Sequence, residues 1–419
     1  MSQSLQEPSG QAFKNANFRF YLLSRFLVTV SSEMQSVAVG WQVYELTHRA
    51  LDLGFVGLAQ FLPGICLFLV TGTVADRVPR QRIVRLCAAG FSLCSLLLLF
   101  FTLRRVSSPF PLYGVLLLNG TVRAFNAPAS QAFLPLLVPR EVFQNAVAWN
   151  SSVFQTATIA GPMLGGLLYG FTGTPVPVYE CAACAYCSAF VMLGFLKLMS
   201  AAKAPAARTA GVLLEGLRYI GRTKLVLGAT SLDLFAVLLG GAVALLPVYA
   251  REILHVGATG LGVLRAAPGV GAVLTSLTIA RWPLNRRAGY AMLACVFGFG
   301  VFTVAFGLSQ NVGISLVMLF LIGASDTISV IVRSTMLQLS TPDVMRGRVS
   351  AVNMVFIGAS NEVGQFESGL TAHWFGTVPA VVLGGVGTMV IVLAWGFLFP
   401  SLRRLDRLSA LKVEVTADC

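Results

Sequence analysis

The chain has 419 residues, of which 56% are hydrophobic and only 11% are charged, and its mean hydropathy is +0.77. Soluble proteins carry roughly 25% charged residues, so these values exclude a soluble globular protein and predict an all-α membrane protein. The net charge of +13 does not indicate a nucleic-acid partner, because most basic residues lie in loops on one predicted side of the membrane.

Apolar runs of about 20 residues recur along the chain and predict twelve membrane spans. In this layout, 22 of the 30 Lys and Arg residues lie in, or within three residues of, the N-terminal segment, the loops from even to odd spans and the C-terminal tail. The positive-inside rule then places both termini in the cytoplasm. The N-terminal segment lacks the pattern of a cleaved signal peptide, so the first span is expected to be retained. The predicted spans are 18–46, 52–74, 83–103, 111–137, 146–171, 176–198, 225–250, 257–280, 288–308, 312–339, 348–373 and 376–399.

Related motifs recur 203 to 205 residues apart, which predicts two six-helix halves in the same orientation. Pro63-Gly64 aligns with Pro268-Gly269, and the segment that begins at Pro139 aligns with the one that begins at Pro342. An amphipathic helix on the inner leaflet is predicted between the halves, with a plain linker as the alternative. The predicted parts are an N-terminal tail 1–17, a first bundle 18–199, a cytoplasmic linker 200–224, a second bundle 225–399 and a C-terminal tail 400–419.

A short loop between the second and third predicted spans contains one acidic residue and several arginines, and we interpret it as an element of a cytoplasmic gate. In a chain this apolar, the loop must lie at a membrane face, and its arginines predict the cytoplasmic face. The corresponding loop of the second half, 281–287, keeps basic residues but has no acid at the matching position. The distinctive residues of the first loop are Gly72, Asp76, Arg77, Arg80 and Arg82.

The fifth predicted span contains the motif Gly161, Pro162, Gly165 and Gly166. Glycines at this spacing allow helices to approach closely, and a proline removes one backbone hydrogen bond and permits a bend. A purely structural kink is therefore one interpretation of this motif.

The charged loop and the fifth span resemble the major facilitator superfamily, and the resemblance covers nearly the whole chain. It implies that Asp76 and its arginines hold an inner gate shut, that the fifth-span motif is of the antiporter type, and that spans 1, 4, 7 and 10 line a central cavity. Shorter motifs at 41–47, 125–129 and 215–220 are similar to the branch that contains the enterobactin exporter and macrolide efflux proteins. This resemblance implies export of an amphipathic small molecule.

Four ionisable residues are predicted within the membrane on those four spans: Glu33, Arg123, Asp233 and Asp326. Such residues are costly in a bilayer and indicate functional sites. Burial favours the protonated form of a carboxyl group, and a nearby guanidinium favours the charged form. Asp233 and Glu33 are therefore candidates for proton coupling, and Arg123 is their candidate switching partner or an anchor for an anionic cargo. A static buried ion-pair network is the alternative.

Other residues within the spans receive structural interpretations. Arg333 is expected either to extend toward the interface or to pair with Asp326. Cys181, Cys184 and Cys187 lie along one face of the sixth span, and we interpret them as small buried packing residues rather than metal ligands. No structural disulfide is expected, because the cysteines show no paired extracellular pattern.

Together these observations predict a proton-coupled exporter in the inner membrane of a bacterium. It is expected to be a monomer, with the bilayer and a small-molecule cargo as its partners and with no cofactor or metal. Neither an enzyme nor an ATP-driven pump is expected, because the three histidines have no adjacent nucleophile and no phosphate-binding glycine loop occurs. The alternatives are a proton-coupled uptake symporter and a non-transporting membrane sensor with the same fold.

Overall fold

The computed structural model describes residues 11–67, 70–71, 74, 77–139, 142–196, 210–282 and 287–406. Within these ranges the chain is helical and has no β-strand, which confirms the all-α prediction. The long helices are α1 Ala16–Thr47, α2 Ala50–Cys66, α3 Arg80–Leu103, α4 Phe110–Phe133, α5 Phe143–Thr172, α6 Val176–Gly194, α7 Lys224–Leu239, α8 Gly257–Arg281, α9 Ala288–Leu308, α10 Val312–Ser340, α11 Asp343–Phe375 and α12 Thr377–Leu398, with a linker helix Ala210–Arg222 between α6 and α7.

By length and composition, seven of the described helices are long and apolar enough to cross a membrane. They are α3, α6, the segment Lys224–Ile253 that begins with α7, α8, α9, α10 and α12. The helix α2 is apolar but shorter, with 17 residues. The remaining helices α1, α4, α5 and α11 have 24 to 33 residues and carry more polar and charged side chains, as expected of helices that face a polar interior rather than lipid.

Packing divides the chain into two units, and the first contains Met1–Val39 and Leu62–Ala207. Within it, α3 packs on α4 and α6, and α5 also packs on α6. The core between these helices is apolar and aromatic, with Phe18, Phe133 and Tyr186 fully enclosed. Asn15 connects the start of α1 to this core, because its side-chain nitrogen donates a hydrogen bond to the Leu137 carbonyl oxygen at 2.7 Å.

The second unit contains Gly40–Phe61 and Arg208–Cys419, and its helices repeat the packing of the first. Here α9 packs on α10 and α12, and α11 packs on α12. These are the equivalents of the α3 and α5 contacts six helices earlier, so the predicted parallel repeat is confirmed. The last residues of α1 and the first part of α2 belong to this unit. The predicted bundle limits at 199 and 225 stay a prediction.

The same helix crossing occurs once in each unit and is made by glycines 203 residues apart. A β-carbon on Gly161 of α5 would lie 2.9 Å from the Val30 carbonyl oxygen of α1. In the second unit, a β-carbon on Gly364 of α11 would lie 3.1 Å from the Val237 carbonyl oxygen of α7. Both crossings bring helices so close that only glycine fits without a shift of the neighbouring backbone.

The segment after α7 departs from the continuous span predicted for 225–250. The helix stops at Gly240-Gly241, continues as a 3-10 turn Ala242–Leu245, and ends in a π-helical turn Tyr249–Ile253. A side chain at Gly241 would meet the Ser368 hydroxyl and the Gly364 carbonyl oxygen, so close packing against α11 explains the glycine. The correction is that the seventh span is broken in its second half.

The predicted linker helix is confirmed as a helix, and it is docked on the second unit. A β-carbon on Gly216 would lie 2.8 Å from the Arg348 carbonyl oxygen, and Glu215 forms an ion pair with the Arg348 guanidinium. The Tyr219 hydroxyl donates to the Ser340 carbonyl oxygen at the end of α10. Contact of this helix with the inner leaflet stays a prediction.

Candidate transport site

A buried ion pair joins α7 to α10 in the second unit. The Arg333 guanidinium contacts the Asp233 carboxylate, and the two side chains are only 4% and 9% exposed. Both residues lie within apolar helices, where an isolated charge would be strongly destabilising. Each charge therefore stabilises the burial of the other.

Asp326 completes a group of three charged residues, which we call the α7–α10 triad: Asp233, Asp326 and Arg333. Asp326 is half-buried on α10, two helical turns before Arg333, and it interacts electrostatically with both other members. The triad contains two carboxyl groups and one guanidinium. The prediction that Arg333 extends to the interface was wrong, because the side chain turns inward to Asp233.

Polar and aromatic residues fix the helix that carries Asp233. The Trp395 indole nitrogen of α12 donates to the Ser231 hydroxyl at 3.0 Å, and the Thr388 hydroxyl of α12 donates to the Ala236 carbonyl oxygen at 3.1 Å. The ring of Phe235 also packs on Trp395, with centroids 5.5 Å apart. These contacts hold Asp233 in a defined position on a rigid part of α7.

Glu33 occupies a different environment in the first unit. Its side-chain stem lies against Gly161, so the first glycine of the fifth-span motif leaves room for Glu33 where α1 crosses α5. A β-carbon on Gly165, one turn later, would lie 2.8 Å from the Met34 carbonyl oxygen. Among the residues that the structure describes, Glu33 forms no ion pair within 4 Å.

The rest of the fifth-span motif and the neighbouring polar residues serve packing in the first unit. Pro162 lies inside α5, and Gly166 is buried beside it. Next to Glu33 on α1, the buried Gln35 accepts a hydrogen bond from the Ser95 hydroxyl of α3 at 3.0 Å. The motif therefore positions α1, whatever role it has in setting the direction of transport.

Arg123 lies on α4 in the first unit and its side chain is exposed. The four predicted residues are thus divided evenly, with Glu33 and Arg123 in the first unit and Asp233 and Asp326 in the second. Within the second unit, the partner of Asp233 is Arg333. The switching role of Arg123 stays a prediction.

The predicted inner gate is only partly described. Gly72 and Asp76 lie outside the described residues, whereas Arg77 and Arg82 are exposed and Arg80 is half-buried. Gln81, which sequence reasoning missed, donates from its side-chain nitrogen to the carbonyl oxygens of Leu193 and Leu196 at 2.9 and 2.8 Å. Gln81 therefore joins the start of α3 to the end of α6 directly beside the gate arginines.

The cysteines of the sixth span were predicted to be buried, and this was wrong. Cys181, Cys184 and Cys187 share one face of α6 as expected, but that face is exposed. Cys187 retains one polar contact, with its sulfur 3.0 Å from the Ser92 hydroxyl oxygen. Across the described residues, no group of three or more His, Cys, Asp and Glu side chains is arranged to hold a metal.

The chain aligns over most of its length with solved structures of membrane transporters. A bacterial homologue of the human lysosomal transporter Spinster aligns with a TM-score of 0.73 at 13% identity, over 92% of this chain and 96% of the other. The nucleoside transporter NupG aligns with a TM-score of 0.69 at 13% identity, over 92% of this chain and 99% of the other. The fold is therefore the twelve-helix major facilitator fold.

The sequence comparisons identify the protein family to which the chain belongs. Residues 9–414 match a protein family described as transmembrane secretion effectors, and the chain belongs to this family. It is 29% identical over 385 residues to the enterobactin exporter EntS of Shigella dysenteriae serotype 1, which covers 90% of this chain and 86% of that protein. Enterobactin exporters of Escherichia coli match at the same identity and coverage. The chain is a multi-pass membrane protein and an efflux transporter.

Proposed function

We propose that this protein exports an amphipathic small molecule, siderophore-like or drug-like, from the bacterial cytoplasm across the inner membrane. The proton gradient drives this export, and no bound cofactor takes part. The observation that carries the proposal is the buried Asp233–Arg333 ion pair, because a paired charge inside a membrane helix is a group that can exchange its partner for a proton. The likeness to enterobactin exporters supports the cargo class.

In the proposed mechanism, the α7–α10 triad binds and releases one proton per cycle. A proton from the outer side neutralises the Asp233 carboxylate, which weakens its bond to Arg333. Arg333 is then attracted to Asp326, the other carboxylate of the triad. When the site faces the cytoplasm the proton leaves, and the Asp233–Arg333 ion pair forms again. Cargo binding is coupled to this exchange because the cargo and the proton favour different access states.

The orientation of the chain follows from the charge distribution. Both termini lie in the cytoplasm, the gate arginines face the cytoplasm, and the ends of α1 and α7 lie on the outer side. The transporter acts as a monomer in the bilayer. Its activity is transport and not catalysis, in keeping with its family.

Substitution of Asp233 tests the coupling. In everted membrane vesicles with an acidic interior, the wild-type protein should accumulate added enterobactin or an amphipathic dye. Asp233→Asn should lose accumulation driven by the pH gradient by at least tenfold, because an amide cannot exchange a proton at this site. Glu180→Gln is the matched control, since Glu180 is an exposed acid on α6 outside the triad.

Three outcomes would contradict parts of this proposal. Unchanged gradient-driven accumulation by Asp233→Asn would remove Asp233 from the coupling mechanism. Accumulation of neither probe by the wild-type protein would contradict the cargo class. Loss of cargo from the acidic interior, instead of accumulation, would indicate an uptake symporter.

A further inference from the structure

Two short segments of the chain are related by the internal repeat and lie at the same ends of equivalent helices. Glu45-Leu-Thr-His48 ends α1, and Glu252-Ile-Leu-His255 ends the broken segment after α7, 207 residues later. Both histidines have the left-handed backbone conformation, with φ of 51° and 53°. The two helix ends therefore share a sequence pattern and a turn geometry.

The two segments bind each other reciprocally. The Tyr44 hydroxyl donates to the Glu252 carboxylate, and the Arg251 guanidinium lies 3.8 Å from the Glu45 carboxylate. Each glutamate thus contacts the residue that precedes the other glutamate. Such a cross-wise pair is the contact that a two-fold axis produces in a symmetric dimer, and here the internal repeat produces it within one chain.

An apolar layer lies directly beneath these polar contacts. Tyr44, Leu53 and Val248 form a buried cluster, in which Leu53 and Val248 are 4% and 2% exposed. A carbon added at Gly369 of α11 would lie 2.9 Å from the Gly54 α-carbon of α2, so these backbones are in direct contact. Buried apolar side chains and closely packed backbones therefore lie next to the polar contacts at these helix ends.

The polar contacts are weak enough to break. Glu45 and Arg251 are 46% and 31% exposed, and an exposed ion pair contributes little to stability. Within the described residues, the Arg251 Nη1 atom is buried and makes no hydrogen bond. The hydrogen bond from Tyr44 to the charged Glu252 is the strongest member of the group.

We propose that Tyr44, Glu45, Arg251 and Glu252 form an outer latch, which closes the cargo exit and opens once in each transport cycle. The outer location rests on the orientation given under the proposed function. The latch fixes how often the exit is open, so these residues act as positioning residues and do not contact the cargo.

Thiol labelling of a buried reporter tests the latch without any cargo. Val248→Cys is placed in a background without native cysteines that still transports, and intact cells are treated with a membrane-impermeant maleimide. Because Val248 is buried beneath the latch, labelling requires the latch to open. Tyr44→Phe should increase the labelling rate roughly tenfold, since it removes a hydrogen bond to a charged group.

Charge reversal supplies the specific test of the reciprocal pair. Glu45→Arg alone should increase labelling, because it places two cations together, and Glu45→Arg with Arg251→Glu should restore the slow rate. Glu180→Gln is the control and should leave labelling unchanged. Equal labelling in all latch variants, in intact cells and in everted vesicles alike, would overturn the proposal.

The side of labelling separates this proposal from the proposed function. An increase seen only in everted vesicles would keep the latch but contradict the assigned orientation of the chain. An increase in intact cells together with unchanged coupling in Asp233→Asn would keep the latch and contradict the role of Asp233. Failure of the double charge reversal to restore slow labelling would overturn the reciprocal pairing.

Discussion

The crossing of α1 with α5 and the crossing of α7 with α11 are the same structure built twice. Gly161 meets Val30 in the first unit, and Gly364 meets Val237 in the second. The acidic residues near the two crossings do not occupy equivalent positions in the repeat. Glu33 follows Val30 by three residues, whereas Asp233 precedes Val237 by four, which separates their levels by about two helical turns.

This difference shows which features the repeat holds fixed. Glycines at a crossing cannot change without moving a backbone, so packing preserves them in both units. A buried charge needs only a suitable partner, and that partner can come from any neighbouring helix. Asp233 has Arg333 from α10, whereas Glu33 is held through its stem and forms no ion pair within the described residues. Among the described residues, the glycine crossings are therefore common to both units, whereas the buried Asp233–Arg333 ion pair belongs to the second unit.

The largest predicted effect is at the ion pair of the second unit. Arg333→Met should lower the free energy of unfolding in mild detergent by about 3–5 kcal/mol, because it leaves Asp233 buried without a partner. Combining Arg333→Met with Asp233→Asn should recover part of this loss, since position 233 then no longer holds a charge without its partner. Thermal unfolding followed by tryptophan fluorescence measures both effects.

The double variant also separates stability from coupling. Recovered stability together with absent gradient-driven export is the expected pattern, because neither remaining side chain can exchange a proton. Glu33→Gln provides the comparison from the first unit and should change stability much less, since no ion pair is broken. Equal losses from Arg333→Met and Glu33→Gln would contradict the contrast between the units.

The next largest effect concerns the shared crossings. Gly161→Ala and Gly364→Ala should each lower stability by about 1–3 kcal/mol, because the new methyl group would overlap a carbonyl oxygen of the crossing helix. Gly114→Ala on α4 is the matched control, since a β-carbon there would meet no atom within 4 Å. This control should be neutral or stabilising by about 0.5–1 kcal/mol.

The two crossings should also respond alike in stability but differently in transport. Gly161→Ala displaces the stem of Glu33 as well as the backbone of α1, whereas Gly364 touches only backbone atoms of α7 among its three nearest neighbours. We expect a larger loss of export per folded molecule for Gly161→Ala. Equal residual export after correction for folded protein would show that the position of Glu33 does not matter.

Sequence reasoning recovered the features that depend on local pattern. Apolar runs predicted the helices, and the offset between Pro139 and Pro342 predicted the repeat. In the structure, the carbonyl oxygen of each proline accepts a hydrogen bond at the start of the following helix. The partner of Asp233 was not predicted, because Arg333 is 100 residues away and its side chain could equally have reached the interface. The break after α7 had a signal, the pair Gly240-Gly241, but a glycine pair inside an apolar run also fits a close helix crossing.

The reciprocal pairs were hidden for a further reason. Glu45 and Glu252 occupy equivalent positions, which sequence alignment can detect. Their contacts, however, depend on which helix ends lie next to each other in the folded protein. Two glutamates at matching helix ends would repel each other if they faced directly. An offset of one residue instead pairs Glu252 with Tyr44 and Glu45 with Arg251, and this offset arises only in the folded chain.

The smallest predicted effect compares the two left-handed histidines that end α1 and the segment after α7. A left-handed conformation costs an ordinary residue roughly 1–2 kcal/mol, and glycine removes this cost while losing about 0.5–1 kcal/mol in chain entropy. His48→Gly should therefore stabilise the protein by at most about 1 kcal/mol, because it also loses the edge-to-face contact of the His48 ring with Tyr44, whose centroids are 6.2 Å apart. His255→Gly should have almost no net effect, because the ring nitrogen Nδ1 of His255 lies 3.0 Å from the Arg251 carbonyl oxygen and that contact is lost. Equal melting temperatures for the two variants would contradict this difference and would show that the His48 ring contact contributes as much as the Nδ1 contact of His255.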